Sequence, residues 1–194
     1  MPRRPNRAVP VVVVPGWHGS EDGHWQTWLE GELQAGGRET VRPEVSDWDA
    51  PDLAGWLAAL RAALAPFPAD GFDVVAHSLG AVLWLHHAAA PEGPRPARVA
   101  LVSPVSPTLD VPEIAEFLPP PLDVDAVRAA ADGTVLVGGD NDEFCPEGIA
   151  AAYGVPLKMA TTVVEGGGHL NTGAGYGEWP AMLSWCNRDN LAFF

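Results

Sequence analysis

Short apolar runs rich in β-branched residues alternate with stretches of helical period along the whole chain, so the pattern switches repeatedly between a period of two and one near 3.6. Six runs read as strands: Val9 to Val14, Glu39 to Arg42, Phe72 to His77, Ala97 to Val102, Thr134 to Val137 and Thr161 to Val164. Between them, helical spacing predicts His24 to Leu33, Leu53 to Leu64, Leu79 to Ala90, Val124 to Ala131, Glu147 to Ala152 and Trp179 to Asn187. Strands that are apolar on both faces and separated by helices imply a parallel sheet covered on both sides. Pro104 to Pro121 breaks the rhythm with a proline-rich irregular stretch. It follows a strand's carboxyl end, so it either roofs a site or simply connects two elements across the surface.

Composition narrows the picture. The 194 residues, 47% of them hydrophobic, suit a single domain spanning residues 1–194 with a substantial core. With 25 acidic against 11 basic residues the formal net charge is −14, which disfavours nucleic acid as a partner. Cys145 and Cys186 are too few for a disulfide framework and fit free thiols in a reducing cytoplasm. Arg3, Arg4 and Arg7 precede Val9 to Val14 much as a secretory n-region precedes an apolar core, but six residues containing Pro10 are too short, and no small-residue cleavage site follows. That run is expected to be the first strand, and no run is long enough to span a bilayer.

The chemistry centres on Ala76-His77-Ser78-Leu79-Gly80, which sits between a strand and a helix. A serine on such a sharp turn projects its hydroxyl above the sheet edge, with the next amide facing the same space. Gly80 supplies one of the small residues the turn needs, whereas Ala76 stands where glycine is usual. Serine is a poor nucleophile alone and requires a base and a group to orient that base. Val135 to Val137 runs into Gly138-Gly139-Asp140-Asn141-Asp142, and Thr162 to Val164 runs into Glu165-Gly166-Gly167-Gly168-His169. Ser78, Asp142 and His169 therefore follow three strands in the order Ser, Asp, His, with Asp140 as a competing acid. Each also has an ordinary structural reading, since loop carboxylates such as Asp142 cap helices and a histidine after glycines can be a turn residue. An oxyanion needs backbone donors. The candidates are the amides of Leu79 and of Trp17 in Pro15-Gly16-Trp17-His18-Gly19-Ser20. Gly16, His18, His77, Phe144 and Tyr176 are candidates to contact substrate, with Trp17, Phe144 and Tyr176 as an apolar wall. His18 and His24 lack a third ligand nearby, so neither a metal nor another cofactor is expected.

Pro15 to Ser20, His24-Trp25-Gln26-Thr27-Trp28, the elbow, Leu101 to Val105, Asp140 to Pro146, and Gly167 to Asn171 through Gly177 to Pro180 resemble the small serine hydrolases related to retinoblastoma-binding protein nine and bacterial YdeN. The resemblance runs nearly end to end. It implies a compact α/β-hydrolase, a three-layer sandwich around a mostly parallel six-stranded sheet in the order 2-1-3-4-5-6, with no large cap domain. It also implies a triad of Ser78, Asp142 and His169, because Asp-x-x-x-Pro ending at Pro146 matches the family loop. The Leu-x-Cys-x-Glu motif that the mammalian relative's name brings to mind is not present, since Glu143 stands where its leucine would be.

Two functional classes follow. One is a cytoplasmic serine hydrolase, monomeric or a small homo-oligomer, that cleaves small carboxylic esters, amides or aminoacyl derivatives through an acyl-enzyme, with no membrane or nucleic-acid partner. The other is a binding protein on the same scaffold, motivated by Ala76 and by Trp17, Trp25, Trp28, Trp48, Trp56 and Trp179 as recognition surfaces. With no long lid in view, the first class predicts an open site for short acyl groups.

Overall fold

A computed structural model describes residues 9–188; Arg3, Arg4 and Arg7 lie outside the described residues. Six strands, β1 (Val11–Val14), β2 (Thr40–Val41), β3 (Asp73–His77), β4 (Arg98–Val102), β5 (Gly133–Gly139) and β6 (Thr161–Val164), form one sheet in the order β2-β1-β3-β4-β5-β6. Every neighbouring pair is parallel. This is the expected strand order and an α/β-hydrolase sheet.

The sandwich follows directly from the alternation of side chains along the central strands. Val12 and Val14, with Val74, Ala76, Val99 and Leu101, face one core; Val11 and Val13, with Val75, Ala100 and Val102, face the other. The first core is closed by α2 (Leu53–Leu64), α3 (Leu79–Ala89) and α4 (Val124–Ala130), the second by α1 (Trp25–Ala35) and α6 (Pro180–Asn187). Four consecutive valines in β1, all fully buried, can exist only in a strand with both faces covered.

One expected helix is displaced. The stretch Glu147 to Ala152 does not form a helix as a unit, because Gly148 takes a left-handed conformation (φ 78°) and closes a turn onto the Cys145 carbonyl. A right-handed helix cannot pass through that residue. Helical structure begins beyond it, as a π turn at Ala150–Gly154 that runs into the short α5 (Val155–Leu157). β5 is longer than expected and carries Gly138 and Gly139 within it. A Cβ on Gly138 would come within 2.9 Å of Ile149, and one on Gly139 within 2.6 Å of the Gly168 amide, so only glycine lets the strand run this far beside its neighbours.

Among the described residues no helix is long and apolar enough to cross a membrane.

Candidate active site

Ser78 sits between β3 and α3 with φ 55° and ψ −124°, a conformation strained for a residue with a Cβ. The crossing of α3 under β1 requires Gly80, since a Cβ there would come within 2.6 Å of the Val14 carbonyl oxygen and also strike that of Pro15. Although Ser78 occupies the N-cap of α3, its side chain caps nothing and is left free above the sheet.

His169 reaches that hydroxyl from the loop after β6. Its Nε2 accepts from Ser78 Oγ at 2.8 Å, and its Nδ1 donates to Asp142 Oδ2 at 2.8 Å. Asp142 is buried, and its second oxygen accepts the Phe144 amide at 2.9 Å, so it caps its own turn and no helix. The acceptor-only carboxylate fixes the imidazole tautomer. The competing acid, Asp140, accepts instead from the Gly166 amide at 2.8 Å, while Asn141 accepts from Gly168 at 2.7 Å. These two side chains hold the glycine loop in place, and it presents His169 through left-handed Gly166, Gly168 and Leu170.

Two buried histidines stand behind His169. His77 Nε2 donates to the His169 carbonyl at 3.0 Å, and the ring centroids lie 5.0 Å apart. His24, the N-cap of α1, accepts from the Gln26 amide through Nδ1 and lies 5.0 Å from His77. Burial is the main force on both. It holds His77 far below its usual pKa, with the His169 field adding to it, and brings His24 down to about 4. Both rings are neutral near pH 7 and leave the charge balance of the Ser78–His169 pair unaltered.

The loop after β1 passes directly over the serine. A Cβ on Gly16 would come within 2.7 Å of Ser78 Cβ, so the backbone of Gly16 lies against the serine. His18 and Gly19 donate their amides to Trp48 and Gly16 carbonyls, each at 3.0 Å. Buried Gln26 secures the loop, donating to the Val14 carbonyl at 3.1 Å and accepting from Ser20 Oγ at 2.6 Å.

A cleft of about 330 Å³ opens over Ser78. Gly16, Trp17, His18, His77, Leu79 and Phe144 are among the residues that line it, with the Phe144 ring 4.6 Å from that of His169. His18 is at the rim, stacked on Trp17 and bonded to Asp49 at 2.7 Å. Tyr176 does not line the cleft. After the turn at Thr172–Ala174, Gly175 (φ 86°) reverses the chain and sends Tyr176 edge-on against Trp179, into the α1–α6 layer. Sequence reasoning missed Val105, Leu109, Val111 and Ile114, which show that Pro104 to Pro121 walls the cleft, and also missed Glu21, His24 and residues 171–173. Of the six tryptophans offered as a recognition surface, Trp25, Trp56 and Trp179 are buried in edge-on aromatic pairs, and Trp17, Trp28 and Trp48 are partly buried against the cores.

Among solved structures, the chain resembles the ydeN gene product of B. subtilis (21% identity, TM-score 0.78, covering 93% of this chain and 98% of that one). It also resembles a YdeN-like hydrolase from Pectobacterium atrosepticum (23%, 0.71, covering 94% and 91%). A third is the esterase domain of a Rhodothermus marinus protein (18%, 0.63, covering 96% and 88%). At these identities the likeness establishes the α/β-hydrolase fold. No curated protein sequence matches the chain. Residues 11–188 match the family described as serine hydrolase, which is nearly the whole described chain, and the protein belongs to that family.

Proposed function

We propose that the protein hydrolyses small carboxylic esters through an acyl-enzyme formed on Ser78. The observation that carries this reading is the unbroken chain from Ser78 Oγ to His169 Nε2 to Asp142, with 2.8 Å at each step. As His169 takes the hydroxyl proton, Ser78 Oγ attacks the ester carbonyl, and the carbonyl electron pair moves onto oxygen. Asp142 stabilises the imidazolium that forms. In this reading the amides of Leu79, at the start of α3, and of Trp17 donate to the oxyanion. Collapse of the intermediate expels the alkoxide with the proton from His169; water then repeats the sequence on the acyl-enzyme, releasing the acid and regenerating Ser78. The apolar wall of Val105, Leu109, Val111 and Ile114 supports an apolar acyl group. Free, buried Cys145 and Cys186 accord with work in the cytoplasm.

A fluorophosphonate probe is expected to label the wild type and not Ser78→Ala. The same variant is expected to lose p-nitrophenyl butyrate turnover by on the order of 10^4- to 10^6-fold. Folded wild-type protein that neither labels nor turns over the ester would instead favour a binding role on this scaffold.

A further inference from the structure

The walls of the cleft differ in character, and the sheet order sets them apart. Strands β1 and β4 flank β3 on opposite sides, so the loops after them approach Ser78 from opposite directions. The β4 side brings Val105, Leu109, Val111 and Ile114, none of which carries charge. The β1 side brings Glu21, whose carboxylate accepts from Thr172 Oγ1 at 2.5 Å and so adjoins the residues that follow His169.

Which part of a substrate meets which wall follows from the chemistry. His169 must give its proton to the leaving oxygen, so the departing alcohol lies beside His169 and the adjoining residues 171–173. The acyl group is then left for the apolar wall. Glu21 stands on the alcohol's side as a carboxylate without a counter-charge: among the described residues no lysine or arginine forms an ion pair with it. Arg42, which reaches the neighbouring Ser20 carbonyl, is already paired with Glu30. The Thr172 hydroxyl is the main cause that holds the Glu21 pKa below its usual value, which keeps the carboxylate charged.

We propose that the cleft selects esters whose alcohol carries a positive charge, with Glu21 facing that charge and an apolar acyl group against Leu109, Val111 and Ile114. The proposal rests on the ester-hydrolase reading above and adds the substrate class. The net charge of −14 works in the same direction, since it concentrates cations around the molecule, but it acts at every surface alike. Only a carboxylate beside the leaving group discriminates by position.

The test compares butyrylcholine with 3,3-dimethylbutyl butyrate, its neutral isostere, as a ratio of kcat/KM. In the wild type the ratio is expected to favour the cationic ester by about two- to fivefold, the range for a partly exposed charge pair, and to shrink as salt is added. Glu21→Gln is expected to bring the ratio to about one, whereas Glu32→Gln, at an exposed acid outside the cleft lining, keeps it. No preference in the wild type overturns the proposal. So does a preference that survives Glu21→Gln, or an equal loss on both esters, which would mean that Glu21 only braces the Thr172 turn. Failure of the hydrolase reading looks different: Ser78 would resist the fluorophosphonate, and neither ester would be cleaved.

Discussion

The methyl of Ala76 is fully buried in the core beneath α2 and α3, in register between Val14 and Leu101. It fills space that a glycine would leave empty, and two residues on Ser78 still reaches φ 55°. Gly80 has no such room, because its missing Cβ is where the β1 carbonyls pass. The two small positions of the elbow therefore differ: one is required by contact, the other only by habit. Ala76→Gly is expected to leave ester turnover within about twofold, while losing a buried methyl and a strand constraint worth together about 1–2 kcal/mol. Urea unfolding measures the loss; a rise in kcat of tenfold or more would mean that the methyl distorts the serine. The elbow was legible because it is local. Strand position alone left Asp140 and Asp142 both open, since both follow β5 within a few residues; the resemblance favoured Asp142, and in the structure the Gly166 amide captures Asp140 while Asp142 meets His169.

At the scale of elements, α2 was readable to its ends because Asp52 caps it, accepting from the Gly55 amide at 2.9 Å, and its apolar spacing is regular. Pro104 to Pro121 was not, because its shape is set by partners distant in sequence. Ser106 donates its amide to Phe144 at 2.7 Å and its hydroxyl to Glu147 at 2.6 Å, and His86 donates to the Phe117 carbonyl at 2.8 Å. With both ends pinned, the middle of the segment turns Leu109, Val111 and Ile114 toward Ser78. The open site expected from the absence of a lid is thus a walled one. Leu109 is only partly buried, so a larger side chain there intrudes on the cleft more than on the core. Leu109→Trp is expected to lower kcat/KM for p-nitrophenyl octanoate by roughly tenfold or more, the scale of excess methylenes in a tight pocket, and to cost the acetate ester much less. A chain-length series measures it, and an equal loss at every length would remove the segment from the acyl site.

Across the whole molecule, polar groups close the end of the sandwich opposite the cleft. Fully buried Asp73 accepts from Arg98 at 2.6 Å and Arg188 at 3.2 Å, and Arg38 and Arg98 reach the Cys186 carbonyl at the end of α6. Partners 25 and 115 residues apart leave no trace in local sequence, so this closure could not be read in advance. Buried histidines couple the sandwich to pH. Burial above all brings both His24 and His87 down to about 4, with the Arg61 charge adding at His87. An unfolded chain would protonate them near the ordinary value of about 6.5. Between pH 6.5 and 4 the unfolded state therefore binds more protons, and stability falls as pH falls through that window, by roughly 3 kcal/mol for each histidine when complete. Above pH 6.5 both contributions are fully present. His87 has no partner for Nδ1 and packs its ring 4.9 Å from Trp84, so an apolar side chain suits its site. His87→Leu is expected to match or exceed the wild type at pH 7 and to show a shallower decline of Tm toward pH 4, because the unfolded chain's proton uptake at His87 is gone while those at His24 and His77 remain. Thermal melts at half-unit steps of pH measure both slopes, and identical slopes would mean that protonation of His87 is not what weakens the fold in acid.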